Sequence, residues 1–155
     1  MIVVSDTTAI TTLLKAGMDN LLRELFGSVI IPQAVWDELI AFHSQLPDFI
    51  LRRAVARTHG LMAETVLLGR GEAEAITLAK EVNADLLLTD DLKARRVAAG
   101  LNLKCTGLLG LLIRARQHGR IPSVREAIFI IETRGGLYLS DAVKVEALRL
   151  AGELS

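Results

Sequence analysis

The run Asp85-Leu86-Leu87-Leu88-Thr89-Asp90-Asp91 decides the fold. Three leucines in succession, with no polar residue between them, describe a strand buried on both faces, as strands of a parallel sheet are. Two acids come next, and residues 91 to 99 then take up helical spacing. The chain's start repeats the arrangement, with Ile2-Val3-Val4 leading into Ser5-Asp6 and an amphipathic stretch. Ser28-Val29-Ile30-Ile31 before Pro32, and Leu103-Lys104-Cys105, read as two further strands. Short apolar runs alternating with longer amphipathic ones predict an α/β protein with a central parallel sheet wrapped in helices.

The helices fall at about 7–16, 19–26, 33–43, 48–58, 71–82, 91–99, 107–118, 123–134 and 140–153. Pro32 stands at a helix start, and Gly60, Gly100 and Gly119 stand at helix ends. Residues 59–70 read as a loop. No internal repeat or linker divides the 155 residues, so one domain is expected over 1–155. With 51% hydrophobic and 23% charged residues, disordered and fibrous classes are excluded. No apolar run reaches the roughly 20 residues of a spanning helix, and no basic leader precedes Met1-Ile2-Val3-Val4, so a soluble, cytoplasmic protein without a membrane partner is expected.

One cysteine, Cys105, rules out an internal disulfide and any cysteine-based zinc site. His43, His59 and His118 show no paired metal spacing and read as surface residues. Net charge is zero, yet residues 93–134 hold nine basic side chains against only Glu126 and Glu132. That imbalance makes the stretch a candidate polyanion surface, although wet helix faces also carry arginine. Leu108-Leu109-Gly110-Leu111-Leu112-Ile113 is too apolar for a helix with one wet face and reads as core, with a homodimer contact as the second reading.

Ligands of an open parallel sheet bind beyond the carboxyl ends of the strands. Asp6 ends the first strand and Asp90-Asp91 ends the leucine strand; either position alone also suits a helix cap, but together they mark one edge. In the helix after Pro32 the apolar face is Val35, Trp36, Leu39, Ile40 and Phe42; Glu38 flanks it at about 40° from Phe42, and Asp37 faces water. In Gly71-Glu72-Ala73-Glu74-Ala75-Ile76, Glu72 lies among the inward residues, whereas Glu74 shares the outer face with Glu81. A helix N-terminus favours an acid by a few tenths of a kcal/mol, which accounts for Glu72's type and not its inward direction.

Carboxylates converging in one cleft repel unless a cation neutralises them, and an all-oxygen donor set suits Mg²⁺ or Mn²⁺. The matching reaction is metal-assisted hydrolysis of a phosphodiester. A phosphate-binding Gly-x-x-x-x-Gly-Lys motif and a dinucleotide fingerprint are missing, and Thr8 stands where an aspartyl-phosphate mechanism would want a second acid.

These residues resemble the PIN domain family of metal-dependent ribonucleases, most closely a prokaryotic PIN-like subfamily related to the toxin ribonucleases. Val3-Val4-Ser5-Asp6-Thr7-Thr8-Ala9 looks like its opening, with Asp6 the first acid. Ile31-Pro32-Gln33-Ala34-Val35-Trp36-Asp37-Glu38-Leu39 resembles the second motif, carrying over Glu38. Gly71-Glu72-Ala73-Glu74-Ala75-Ile76 resembles the third, with Glu72 where many toxin-type members carry aspartate. Leu86-Leu87-Leu88-Thr89-Asp90-Asp91 is similar to the Thr-x-Asp motif and selects Asp91, with Asp90 beside it. The tail Gly135-Gly136-Leu137-Tyr138-Leu139-Ser140 looks like the subfamily's C-terminal helical extension, here about 120–155.

The resemblance implies a three-layer α/β/α fold, a Mg²⁺ or Mn²⁺ site and cleavage of RNA to 5′-phosphate and 3′-hydroxyl ends. For the toxin branch it also implies an antitoxin protein and frequent homodimers. The catalytic set is Asp6, Glu38, Glu72 and Asp91, the metal set Asp6, Glu72, Asp90 and Asp91, and Thr7 and Thr89 orient them. Lys93, Arg95 and Arg96, just past the acid pair, are the expected RNA contacts, and with aromatics at 4% they would read backbone rather than stack bases. The leading reading is an endoribonuclease, the toxin of a toxin–antitoxin pair. The alternatives are a non-catalytic RNA- or protein-binding module of the same fold, or a DNA or flap nuclease.

Overall fold

Alternation along each strand sorts the apolar side chains onto two sides of one sheet. The structure, a computed structural model, describes residues 1–56 and 63–154. Its order is β1 (Val3–Ser5), α1 (Thr7–Ala16), α2 (Asn20–Phe26), β2 (Val29–Ile31), α3 (Gln33–Phe42) and β3 (Ile50–Arg52). A 3₁₀ turn (Ala63–Thr65) precedes α4 (Arg70–Glu81), β4 (Leu86–Leu88), α5 (Leu92–Gly100) and β5 (Cys105–Thr106). Helices α6 (Leu108–Gln117), α7 (Val124–Arg134) and α8 (Asp141–Leu150) complete the chain.

All pairings in the five-stranded sheet are parallel, in the order β3-β2-β1-β4-β5. Val3, Val29, Ile31, Leu86 and Leu88 point to one side, into a core shared by α1, α2, α3, α6, α7 and α8. Val4 and Leu87 point to the other, against Ala75, Ile76, Leu78 and Ala79 of α4 and Ala94 and Ala98 of α5. The result is the expected three-layer α/β/α architecture. The C-terminal helices belong to the larger core, through Val124, Ile128, Ile131 and Leu148. No described helix is long and apolar enough to cross a membrane.

One expected element is a different one. The segment expected as a helix over 48–58 contains the edge strand β3, paired with β2 in the register Ile30↔Leu51. A short mixture of apolar and basic residues satisfies either periodicity locally. The open edge of β2 decides it, because Val29 N–H donates to Phe49 O and Arg53 N–H to Ile31 O, both at 2.9 Å. Residues 57–58 of that expected helix, and 59–62 of the expected loop with His59 and Gly60, lie outside the described residues.

The apolar face expected for α3 is narrower than its sequence suggested: Val35 and Leu39 are buried, but Ile40 and Phe42 are exposed. In the apolar run of α6, Leu108, Leu111 and Leu112 are core. Leu109 and Ile113 instead help line a groove of about 570 Å³ against Val143 and Leu150 of α8.

Strands β2 and β3 lie on one side of β1, and β4 and β5 on the other. The order in which the chain adds strands therefore reverses between β1 and β4, and such sheets bind ligands in the crevice beyond the carboxyl ends at that switch point. Ser5 pairs with Leu88 at that edge, so the residues next after each strand meet there.

Candidate functional site

Asp6 leaves β1 at this crevice and is 3% exposed. Its backbone N–H donates to Leu88 O at 3.1 Å, which locks the end of β1 to the end of β4. Its Oδ1 is the buried side-chain oxygen that finds no hydrogen-bond partner among the described residues. Burial foremost, with the charges of Glu72 and Asp90, pushes the carboxyl up to about 7, against hydrogen bonding from Thr89 and the Thr8 N–H. A carboxyl so placed lacks a positive partner.

Glu72, half-buried in the first turn of α4, is one of the two acids whose charge reaches Asp6. It folds back along its own helix start: its Oε2 lies 2.6 Å from where a β-carbon on Gly69 would stand. Glu38 projects from α3 and is exposed, a correction to its expected place beside the core. Thr7 Oγ1 donates to its Oε2 at 2.5 Å. Its Oε1 lies 2.9 Å from the position of a β-carbon on Gly71. Both glutamates thus rest on glycines of the segment Gly69-Arg70-Gly71, where any larger residue would displace them.

The two aspartates after β4 divide their work. Asp90 is the one whose charge reaches Asp6. Both its oxygens accept from Leu108 N–H, at 3.2 and 3.1 Å, so it also holds the first turn of α6. It presses against Gly107, whose absent side chain makes the approach possible. Asp91, preferred by the family motif, is exposed and caps α5, its Oδ2 accepting from Ala94 N–H at 2.8 Å. Thr89 is 1% exposed; besides bonding Asp6 it accepts from Asp91 N–H at 3.3 Å, joining both acids to one hydroxyl.

Of the expected RNA contacts, Lys93 and Arg96 are exposed on α5, and Arg95 is half-buried, its guanidinium turned toward Gly107 and Asp90. Cys105 is half-buried, and burial raises its thiol above the ordinary range. His43 sits 3.3 Å from Thr11 Oγ1 on the far turn of α3 from the acids.

Glu74 requires the largest correction. Expected on an outer face, it is 8% exposed. Its Oε1 accepts from Ala34 N–H in the first turn of α3 at 3.0 Å, and its Oε2 from Arg70 Nε at 3.0 Å. Helix α4 has no outer face through its middle turns: residues 73 to 79 are all buried. The signal for this was in the sequence, since Gly71, Ala73, Ala75 and Ala79 are small residues on several sides of one helix, as in a helix packed all round.

As the side chains stand, no group of three acidic, histidine or cysteine residues closes on a single point among the described residues. The donor chemistry still fits a hard divalent cation: an orphaned buried carboxylate oxygen with two further acids electrostatically joined to it.

A solved structure of a PilT N-terminus domain protein from the hyperthermophilic archaeon Sulfolobus solfataricus P2 is similar in fold. Its TM-score is 0.58 at 21% sequence identity, over 74% of this chain and 93% of that one. No curated protein matches. The family DUF3368, described as a PIN domain, matches residues 2–153, and the chain therefore belongs to the PIN domain family.

Proposed function

We propose that this protein is a metal-dependent endoribonuclease that hydrolyses RNA phosphodiester bonds at the Asp6 cluster. PIN domains are in general nucleases. The observation that carries the reading is the unpartnered, buried Oδ1 of Asp6, set among the charges of Glu72 and Asp90 at the sheet's switch point. Burying a carboxylate with no counter-charge and one oxygen left without a hydrogen bond is costly, and the fold keeps it there.

Mg²⁺ or Mn²⁺ bound at these oxygens supplies charge neutralisation at the phosphate and a more acidic water. Asp6, Glu72 and Asp90 hold the cation, and Asp91, which keeps its Oδ1 outside the helix cap, joins them. Glu38 orients the attacking water, and Thr7 fixes Glu38. Thr89 fixes Asp6 and the start of the Asp91 turn. Lys93 and Arg96 meet the RNA backbone, and Arg95 balances Asp90. Gly69 and Gly71 leave the room in which the Glu72 and Glu38 carboxylates lie. The toxin role, an antitoxin partner and a homodimer rest on the family resemblance, and are read by co-purification and light scattering.

A second reading, a PIN-fold module that binds RNA without cutting, is favoured by the engagement of both Asp90 oxygens with Leu108 N–H. Calorimetric titration with Mn²⁺ separates the two. The nuclease reading expects one or more sites lost in Asp6→Asn, and cutting of RNA in preference to DNA of the same sequence. Failure of the wild type to bind Mn²⁺ at millimolar concentration favours the binding module.

A further inference from the structure

Arg70 is the first residue of α4. It lies between Gly69 and Gly71, the two residues on which Glu72 and Glu38 rest, so its Cα sits at the acid crevice on the α4 side. Its side chain is 73% exposed, yet it is tethered: Nε donates to Glu74 Oε2 at 3.0 Å. Glu74 is no ordinary surface partner. It is almost fully buried, and its other oxygen is fixed by the Ala34 N–H of α3.

An exposed i,i+4 ion pair between two mobile side chains contributes little. Here one member is immobilised by the junction of two helices, so the guanidinium is held by an anchored atom. The bond uses Nε alone. The terminal Nη groups make no hydrogen bond among the described residues, and the side chain that carries them is largely open to solvent. A guanidinium aimed from behind, with its outer nitrogens free, is suited to bidentate contact with a phosphate. It also supplies positive charge on a side of the crevice otherwise bordered by Glu38 and Glu72.

We propose that Arg70 is a phosphate-binding residue of the substrate cleft, the counterpart on α4 of Lys93 and Arg96 on α5, and that buried Glu74 is the positioning residue that aims it. This rests on the nuclease reading above. The RNA backbone then passes between two walls: α4 contributes one phosphate contact and α5 the others, with the acids between. Arg70 acts on a phosphate beside the scissile one, so it governs binding more than the chemical step.

The test measures binding of a labelled single-stranded RNA oligonucleotide, with chelator present so that nothing is cut, across a salt series. Wild type, Arg70→Ala, Arg70→Lys and Glu74→Gln are compared. Each phosphate contact to a single strand contributes about 0.7 to the slope of log K against log salt. Arg70→Ala should weaken binding about 5- to 10-fold and lower the slope by about that amount, with only a modest fall in melting temperature from the loss of Glu74's cation partner. Arg70→Lys should recover the slope but not all the affinity, and Glu74→Gln should fall between. In Mn²⁺-supported cleavage, Arg70→Ala should raise KM far more than it lowers kcat. Equal affinity and slope in Arg70→Ala and wild type, when wild type binds and cuts RNA, overturn the assignment of Arg70 alone. A folded wild type that neither binds nor cuts RNA overturns the nuclease reading and this assignment with it.

Discussion

The Thr7 hydroxyl donates to the Glu38 carboxylate at 2.5 Å, so the residue next to Asp6 holds an acid brought from 31 positions further along the chain. This bond joins the first turn of α1 to the middle of α3 and converts two sequence motifs into one wall of the crevice. Thr7→Val preserves shape and removes the donor. Because the pair is exposed, stability should change by less than about 1 kcal/mol. The cleavage rate should fall about 10-fold, equivalent to about 1.4 kcal/mol in the barrier. Single-turnover kinetics beside a thermal melt checks both parts.

Metal-free protein should lose stability as pH rises from about 4 to about 7. Asp6 has an ordinary carboxylate value of 3.8 when unfolded and about 7 when folded, so between those values the folded state binds more protons. Stability contributed by the neutral carboxyl is complete below the lower value and is lost as pH climbs through the upper one. Melting curves in chelator from pH 4.5 to 8 should therefore show wild type falling relative to Asp6→Asn, which keeps a neutral side chain at every pH. Parallel curves would show that Asp6 is not held protonated by its surroundings.

Gly71→Ala should separate stability from activity. Alanine in place of a helical glycine is worth roughly 0.5–1 kcal/mol in helix propensity. The new β-carbon would stand 2.9 Å from Glu38 Oε1, so that carboxylate, the movable end of a flexible side chain, must yield. An unchanged or raised melting temperature with cleavage reduced severalfold is the expected pair of results. Full activity would show that Glu38 does not need its present position.

Replacing Glu74 by alanine leaves the Ala34 N–H without its acceptor and opens space beside two helices. A loss of about 1–3 kcal/mol in urea unfolding is expected, as for other buried hydrogen-bonded groups. Glu74→Gln, which retains an acceptor for Ala34, should lose distinctly less.

Layers and acids were legible for a common reason: both depend on local pattern. Val3-Val4 and Leu86-Leu87-Leu88 alternate between two cores, and the residue next after a buried parallel strand must stand at its carboxyl edge. Asp6, directly after β1, and the pair Asp90-Asp91, just past Thr89 at the end of β4, could thus be placed at one edge. The misreadings concern partners distant in sequence. Strand β3 exists because β2 offers an edge, and Glu74 is buried because α3 presents the Ala34 amide to it across 40 residues. Neither partner shows in the periodicity of its own segment. The contact of Asp90 with Leu108 N–H and Gly107 also depends on a distant element, the start of α6, whereas the Asp91 cap on α5 is local.

The most direct measurement is cleavage of a labelled RNA mixture by purified wild type and Asp6→Asn, each in Mn²⁺ and in chelator. Wild type should cut in Mn²⁺ alone, leaving 5′-phosphate ends, and an Asp6→Asn protein that melts at or above the wild-type temperature at pH 8 should not cut at all. Cutting that persists in Asp6→Asn, or in chelator, would contradict a metal-dependent nuclease built on Asp6.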